Sequence, residues 1–221
     1  MIDLIAIENH LPALQVVIPL LLAPVAILVS LPFLSWLVAL FGSLFCLYAS
    51  VSLFFHVSEF GKINYFMGGW LPPYGIEYVI DDASSFMIVL ISLMGVFATI
   101  FAYQSLKKEI NKKSQSKVYG MWLLALGGLL GLVTTGDAFN LFVFLEISSL
   151  SSVTLVALGS KKDKRALTAA FNYLLIGAVG ATFYVIGVGL LYSVTGTLNI
   201  ADLTIKISEL TSNNSVKAGI S

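Results

Sequence analysis

Apolar residues fall in six long blocks along this chain, separated by short polar breaks. A helix that crosses a hydrocarbon core of ~30 Å needs about 20 mostly apolar residues. The blocks meet that length at about residues 11–30, 33–57, 84–103, 118–135, 139–158 and 167–194. Pro32 parts the first two, so that turn is tight. Residues 58–82 read INYFMGGW, LPPYG and IEYVID through their middle. Two β-prone runs around a Pro-Pro-Tyr-Gly turn predict a β-hairpin on the membrane surface. Trp70, Tyr65, Tyr74 and Tyr78 suit the headgroup layer, where aromatic rings anchor. Asp82, ahead of Ser84 and Ser85, suits the cap of the third helix. Residues 199–221 are polar and cannot span, and weak amphipathic spacing predicts a short helix from about Ile200 to Leu210. The predicted fold is a single all-α membrane domain of six helices with a hairpin between the second and third.

Charge adds an orientation. LKKEINKKSQSK, residues 106–117, holds five lysines, and residues 160–165 hold four basic residues. The hairpin segment holds Lys62 against Glu59, Glu77, Asp81 and Asp82. The positive-inside rule places both basic loops in the cytoplasm. The N-terminus, the hairpin and the turn at Gly136–Asp137 then face outside, in a multi-pass protein of the plasma membrane. The start carries Asp3 and Glu8 and no basic residue before the first apolar run. A secretory signal wants a basic start, so the first helix is expected to be retained.

Composition narrows the chemistry. Hydrophobic residues make up 58% of the chain and charged residues 11%, against about a quarter in soluble domains. The lipid bilayer is therefore the expected solvent. Net charge is zero, which points to no nucleic-acid partner. Cys46 is alone in an apolar run and reads as packing. His10 and His56 have no neighbours at metal-ligand spacing, so no metal is expected. Nucleotide-binding glycine loops and cysteine clusters are missing, so no cofactor and no catalysis by the chain itself are expected.

Glu146 is the exception in the fifth block. It lies seven residues past Phe139, or ~10 Å along a helix. A charge there costs about 2.5–3.5 kcal/mol or more unless paired or wet. None of the six blocks contains a lysine or arginine. A carboxyl that is costly to ionise at this depth is suited to a proton relay. The other reading is a protonated glutamate that hydrogen-bonds between helices. Ser149 shares its helix face at i+3, and Asn140 and the neighbouring hydroxyls can hold a water chain or simply pack. Asp137 reads either as an interfacial helix cap or as a group through which a cation enters or leaves. Asn172, near the start of the sixth helix, reads as lining a half-channel or as an interhelical amide. Gly127, Gly128, Gly131, Gly177, Gly180 and Gly187 read as close-packing positions.

TGDAFNLFVFLEISSLSS, Thr135 to Ser152, resembles the fifth-helix motif of the antiporter-like subunits. These belong to Mrp-type sodium/proton antiporters, membrane-bound hydrogenases and respiratory complex I. GVGLLYSVTGTLNIADL, Gly187 to Leu203, resembles the end of the sixth helix in the same family. The MGGWLPPYGIEYVID stretch fits it too, especially the D subunit of Mrp antiporters. The resemblance implies a partial antiporter-like fold in which Glu146 matches the family's proton-handling glutamate. In that family the glutamate works with a lysine on a seventh helix. Lys206 and Lys217 lie outside the spanning blocks, so that role does not pass to them. Relatives often carry lysine where Asn172 stands.

Members of that family pack as two inverted five-helix repeats, helices four to eight and nine to thirteen, so the resemblance implies that the three helices present here do not enclose a channel alone. Helices seven onward, with the lysine, are then expected from another membrane subunit, the alternative being that the sequence is a fragment or remnant; the expected ion is H⁺, with Na⁺ as its candidate exchange partner. The contrasting expectation is a structural subunit or remnant that scaffolds a complex through its glycine faces and moves no ion. Either a redox complex or an antiporter can hold such a chain.

Overall fold

The computed structural model describes residues 10–29, 31–159 and 163–212. Asp3, Glu8, Lys161, Lys162 and segment 213–221, with Lys217, lie outside the described residues. The long helices are α1 (Leu11–Leu28), α2 (Pro32–Phe60), α3 (Asp82–Glu109), α4 (Lys112–Thr134), α5 (Ala138–Leu158) and α6 (Arg165–Thr195). A short α7 (Ile200–Ser212) follows them. All six long helices are apolar enough to cross a bilayer, so the chain is a multi-pass membrane protein.

Local chemistry sets the helix ends. α1 stops at Leu28, and Leu31 is extended ahead of Pro32, the backbone that a following proline demands. The α3 cap is Asp81, one residue before the expected Asp82. Ser84 N donates to Asp81 Oδ1 (2.8 Å) while Asp81 N donates to Ser84 Oγ (2.7 Å). This reciprocal box needs a spacing of three, which Asp81 and Ser84 supply. α3 and α4 also run further than expected, through the lysines, leaving Ile110 and Asn111 between them. Lysine is a good helix former, so leaving the apolar layer does not end a helix.

The hairpin pairs β1 (Ile63–Phe66) with β2 (Glu77–Ile80), antiparallel, from Ile63 opposite Ile80 to Phe66 opposite Glu77. β2 is the inner strand. Tyr78 is buried, bridges to Thr135 and packs its ring 6.3 Å from that of Phe144. It therefore serves the core and is not available to headgroups, whereas Trp70 and Tyr74 are exposed.

α1 to α4 form a bundle whose interior sets buried hydroxyls among aliphatic side chains such as Ile88, Leu123 and Leu130. Thr99 is its hub: Trp122 Nε1 donates to its Oγ1 (2.9 Å), and Ser43 Oγ lies 3.1 Å from the same atom. Ser35 Oγ donates to Ser116 Oγ at 2.8 Å, tying α2 to α4. Hydrogen bonds between helices hold where lipid provides no hydrophobic drive. Cys46 packs here, its Sγ 3.4 Å from the Gln15 carbonyl.

α4 is central, touching α1, α2, α3 and α5, while α6 packs chiefly on α5. Glycines set these distances. A Cβ on Gly128 would lie 2.8 Å from Ser148 N, and one on Gly131 would overlap the Phe144 ring. On α6, a Cβ on Gly177 would lie 3.2 Å from Ser149 Oγ, but one on Gly180 or Gly187 would meet nothing within 4 Å among the described residues. Close packing therefore explains the α4 glycines and leaves those two unexplained. Gly128→Val is expected to cost about 1–3 kcal/mol through overpacking. Thermal unfolding in detergent checks this, with Gly187→Ala expected to stay near the parent.

Candidate functional site

Glu146 lies eight residues into α5, ~12 Å from its start. It is half-buried and opens on a cleft of about 430 Å³ between α5 and α6. Ser149 and Ser152 line the α5 side, one turn and two turns along from the carboxyl. Tyr173, Gly177, Gly180 and Tyr184 line the α6 side. Those four recur at helical spacing, and Ile176 and Ala181 line the cleft beside the two glycines. Among the described residues, neither a hydrogen bond nor an ion pair engages the Glu146 carboxylate.

The outer face of α6 is uncovered. Phe183 is 72% exposed and Val179 56%. The cleft is thus lined by α5, α6 and Leu129 of α4, beside an uncovered helix. Asn172 is exposed and does not line the cleft, so the structure does not bring it together with Glu146. Lys206 is occupied elsewhere, paired with Asp202 at 3.2 Å and donating to the Thr195 carbonyl.

The start of α5 is a separate polar knot. Asp137 caps the helix: Asn140 N donates to its Oδ1 at 2.7 Å. Asn140 Nδ2 donates to Thr135 Oγ1 at 3.0 Å. The hairpin clamps this turn, since Gly136 N donates to the Glu77 carbonyl (2.8 Å). Asn199, beyond α6, bridges to Asp137, and its Nδ2 donates to Glu77 Oε2 at 2.7 Å. Glu77, Asp137 and Asn199 are all buried. Of the residues singled out from sequence, the structure joins Asp137 with Asn140 here, and Glu146 with Ser149 in the cleft. Sequence reasoning missed Glu77, Asn199 and Tyr184. The first two meet across 122 residues, which no local pattern signals. Tyr184 was legible as the fourth member of the 173–177–180–184 stripe.

Burial is the main influence on Asp137 and raises its carboxyl above the usual 3.8, partly offset by the Asn140 and Phe139 backbone hydrogen bonds. An acid raised in the fold holds its proton more tightly there than in the open chain. Its contribution to stability is full below the usual value and is lost as pH rises through the raised one. Asp137→Asn keeps a capping oxygen and removes the titration. It is expected to flatten the fall in melting temperature as pH climbs from about 4, measured against the parent protein across that window.

The family described as NADH:quinone oxidoreductase/Mrp antiporter matches residues 135–220, which include α5, α6 and Glu146. The chain is 41% identical, over 91% of its length, to the N subunit of NADH-quinone oxidoreductase from Desulforudis audaxviator. It is 33% identical, again over 91%, to the D subunit of the Na⁺/H⁺ antiporter from Alkalihalophilus pseudofirmus. In both cases it spans 40% of the relative's length. It also matches a solved chain of the membrane-bound sulfane sulfur reductase, an archaeal respiratory membrane complex, at 31% identity and TM-score 0.80. That match covers 89% of this chain and 40% of the other. In sequence and in fold, the chain belongs to the antiporter-like membrane subunits shared by Mrp antiporters and NADH:quinone oxidoreductases.

Proposed function

We propose that this chain is a proton-translocating subunit of a multisubunit complex in the plasma membrane, and that Glu146 loads and releases the proton. One observation carries the reading: a carboxyl inside a membrane helix opens on a cleft and lacks any partner among the described residues. An intramembrane acid is costly, and it is expected where an ion path needs it. Ser149 and Ser152 supply hydroxyls that can order water beside it. The family supports the ion chemistry, since the relative from Alkalihalophilus pseudofirmus belongs, by its name, to a Na⁺/H⁺ antiporter. Exchange for Na⁺ is the corresponding expectation here.

Further helices cover the open side of the α5–α6 cleft in the working assembly, and one of them brings a lysine. A nearby ammonium stabilises the ionised carboxylate, and its withdrawal favours protonation. Swinging that charge alternates capture and release. The hairpin end faces outside, as does the α4–α5 turn. The lysine-bearing ends of α3 and α4 face the cytoplasm, in keeping with the positive-inside rule.

Glu146→Gln removes the exchangeable proton while keeping the shape. In the assembled complex, proton transport, read by a pH-sensitive dye in vesicles, is expected to fall to background with assembly unchanged. Undiminished transport would sink the reading and leave a scaffolding role in its place.

A further inference from the structure

The two polar sites on α5 are separated by an apolar interval. Asp137 and Asn140 occupy its first turn, and Glu146 comes six residues after Asn140. Between them stand Leu141, Phe142, Val143, Phe144 and Leu145. Nothing on α5 itself can pass a proton across this stretch, because none of the five side chains can donate or accept one. The amide of Asn140 is held by Thr135 and points back into the knot.

α6 places one polar group across the gap. Tyr184 lines the Glu146 cleft beside Gly180 and Ala181. Its hydroxyl donates to the carbonyl of Ala138, the residue next to Asp137, at 2.9 Å. One side chain therefore links the two sites: Tyr184 lines the cleft on which Glu146 opens, and its hydroxyl reaches the carbonyl beside the cap. We infer that Tyr184 is the relay hydroxyl connecting the Asp137 end of α5 with the Glu146 cleft. This inference rests on the proton-handling role proposed for Glu146.

A phenol suits the task, because its oxygen both donates and accepts. At rest the hydroxyl donates to the Ala138 carbonyl. A proton delivered by water at the hairpin end forms a new O–H bond on the phenol oxygen as the original O–H bond breaks toward water in the cleft. The hydroxyl then turns back to the carbonyl. One bond forms and one breaks, net charge on the side chain is unchanged, and no redox partner is needed. The carbonyl that receives the resting hydroxyl has a second lone pair for the helix's own hydrogen bond, so the contact does not unwind α5.

The bland account of the same contact is a hydrogen bond that pins α6 to α5. Tyr184→Phe separates the two, since it keeps the ring and deletes only the oxygen. Transport per assembled complex is expected to fall at least about tenfold, a barrier change of the size of one hydrogen bond. The pH profile of the residual rate is expected to shift. Tyr184→His restores a protonatable group and is expected to recover part of the rate. Tyr192→Phe, on an exposed ring of the same helix, is expected to transport as the parent does. Parent-like transport per assembled Tyr184→Phe complex, or a loss that only tracks lower yield with the pH profile unmoved, overturns the relay. Glu146→Gln measured in the same vesicles keeps the outcomes apart. If it abolishes transport while Tyr184→Phe does not, the relay fails and the role of Glu146 stands. If Glu146→Gln transports normally, the underlying reading fails and the relay with it.

Discussion

Backbone contact between α4 and α5 governs what the rest of this molecule can do. Gly128 sits where a methyl would press on the amide nitrogen of Ser148, and Gly131 where it would enter the ring of Phe144. With both positions empty, α5 lies flush on the bundle and buries Phe144, Ser148 and Ser151 against it. Rotation of α5 is then fixed, because the face pressed on α4 cannot also look outward. Glu146 and Ser149 are left on the side facing α6. The carboxyl's position is thus a consequence of two absent side chains on another helix.

The start of α5 is held by a different kind of force. Its first turn is gripped from the hairpin through Glu77 and from the α6–α7 turn through Asn199 and Leu198. These groups are buried, so each lost partner would leave a desolvated donor or acceptor behind. Apolar packing sets the rotation of α5, and polar satisfaction sets its height. Neither alone would place an ionisable group to within the tolerance of a hydrogen bond.

Legibility from sequence followed the range of the interactions. Six long apolar helices and a two-stranded hairpin arise from local runs of residue type, the kind of signal that hydropathy and turn chemistry read. The exceptions are local too: Asp81 takes the cap because the reciprocal box counts three residues to Ser84, and lysines prolong α3 and α4. Glu146 stands out in the sequence because a lone acid among apolar neighbours is costly, and the structure adds the cleft on which it opens. Asn172 and Tyr184 mark the limit. Both are polar residues of one apolar helix, and hydropathy ranks the amide first. Packing instead turns Tyr184 toward α5 and Asn172 away, a difference of orientation that depends on how α6 seats against Ser149 at Gly177.

Polar groups are divided unequally between the two parts of the bundle. Within α1 to α4, serine, threonine and tryptophan donors find acceptors on neighbouring helices, as around Thr99 and at Ser35. Gln15 Nε2 is the one fully buried side-chain nitrogen or oxygen without a hydrogen-bond partner among the described residues. Such a network resists rearrangement, since moving any helix strands several groups at once. Between α5 and α6 the balance is reversed: an acid without a partner among the described residues, serine hydroxyls at 148 and 152 turned to their own helix carbonyls, and one interhelical hydrogen bond, from Tyr184 to the Ala138 carbonyl. A site that must change its charge cannot sit in a fully satisfied network, because each hydrogen bond would favour one charge state. The more fully bonded half supplies a fixed wall, and the loosely satisfied half keeps the freedom that the proposed loading and release of a proton at Glu146 would require.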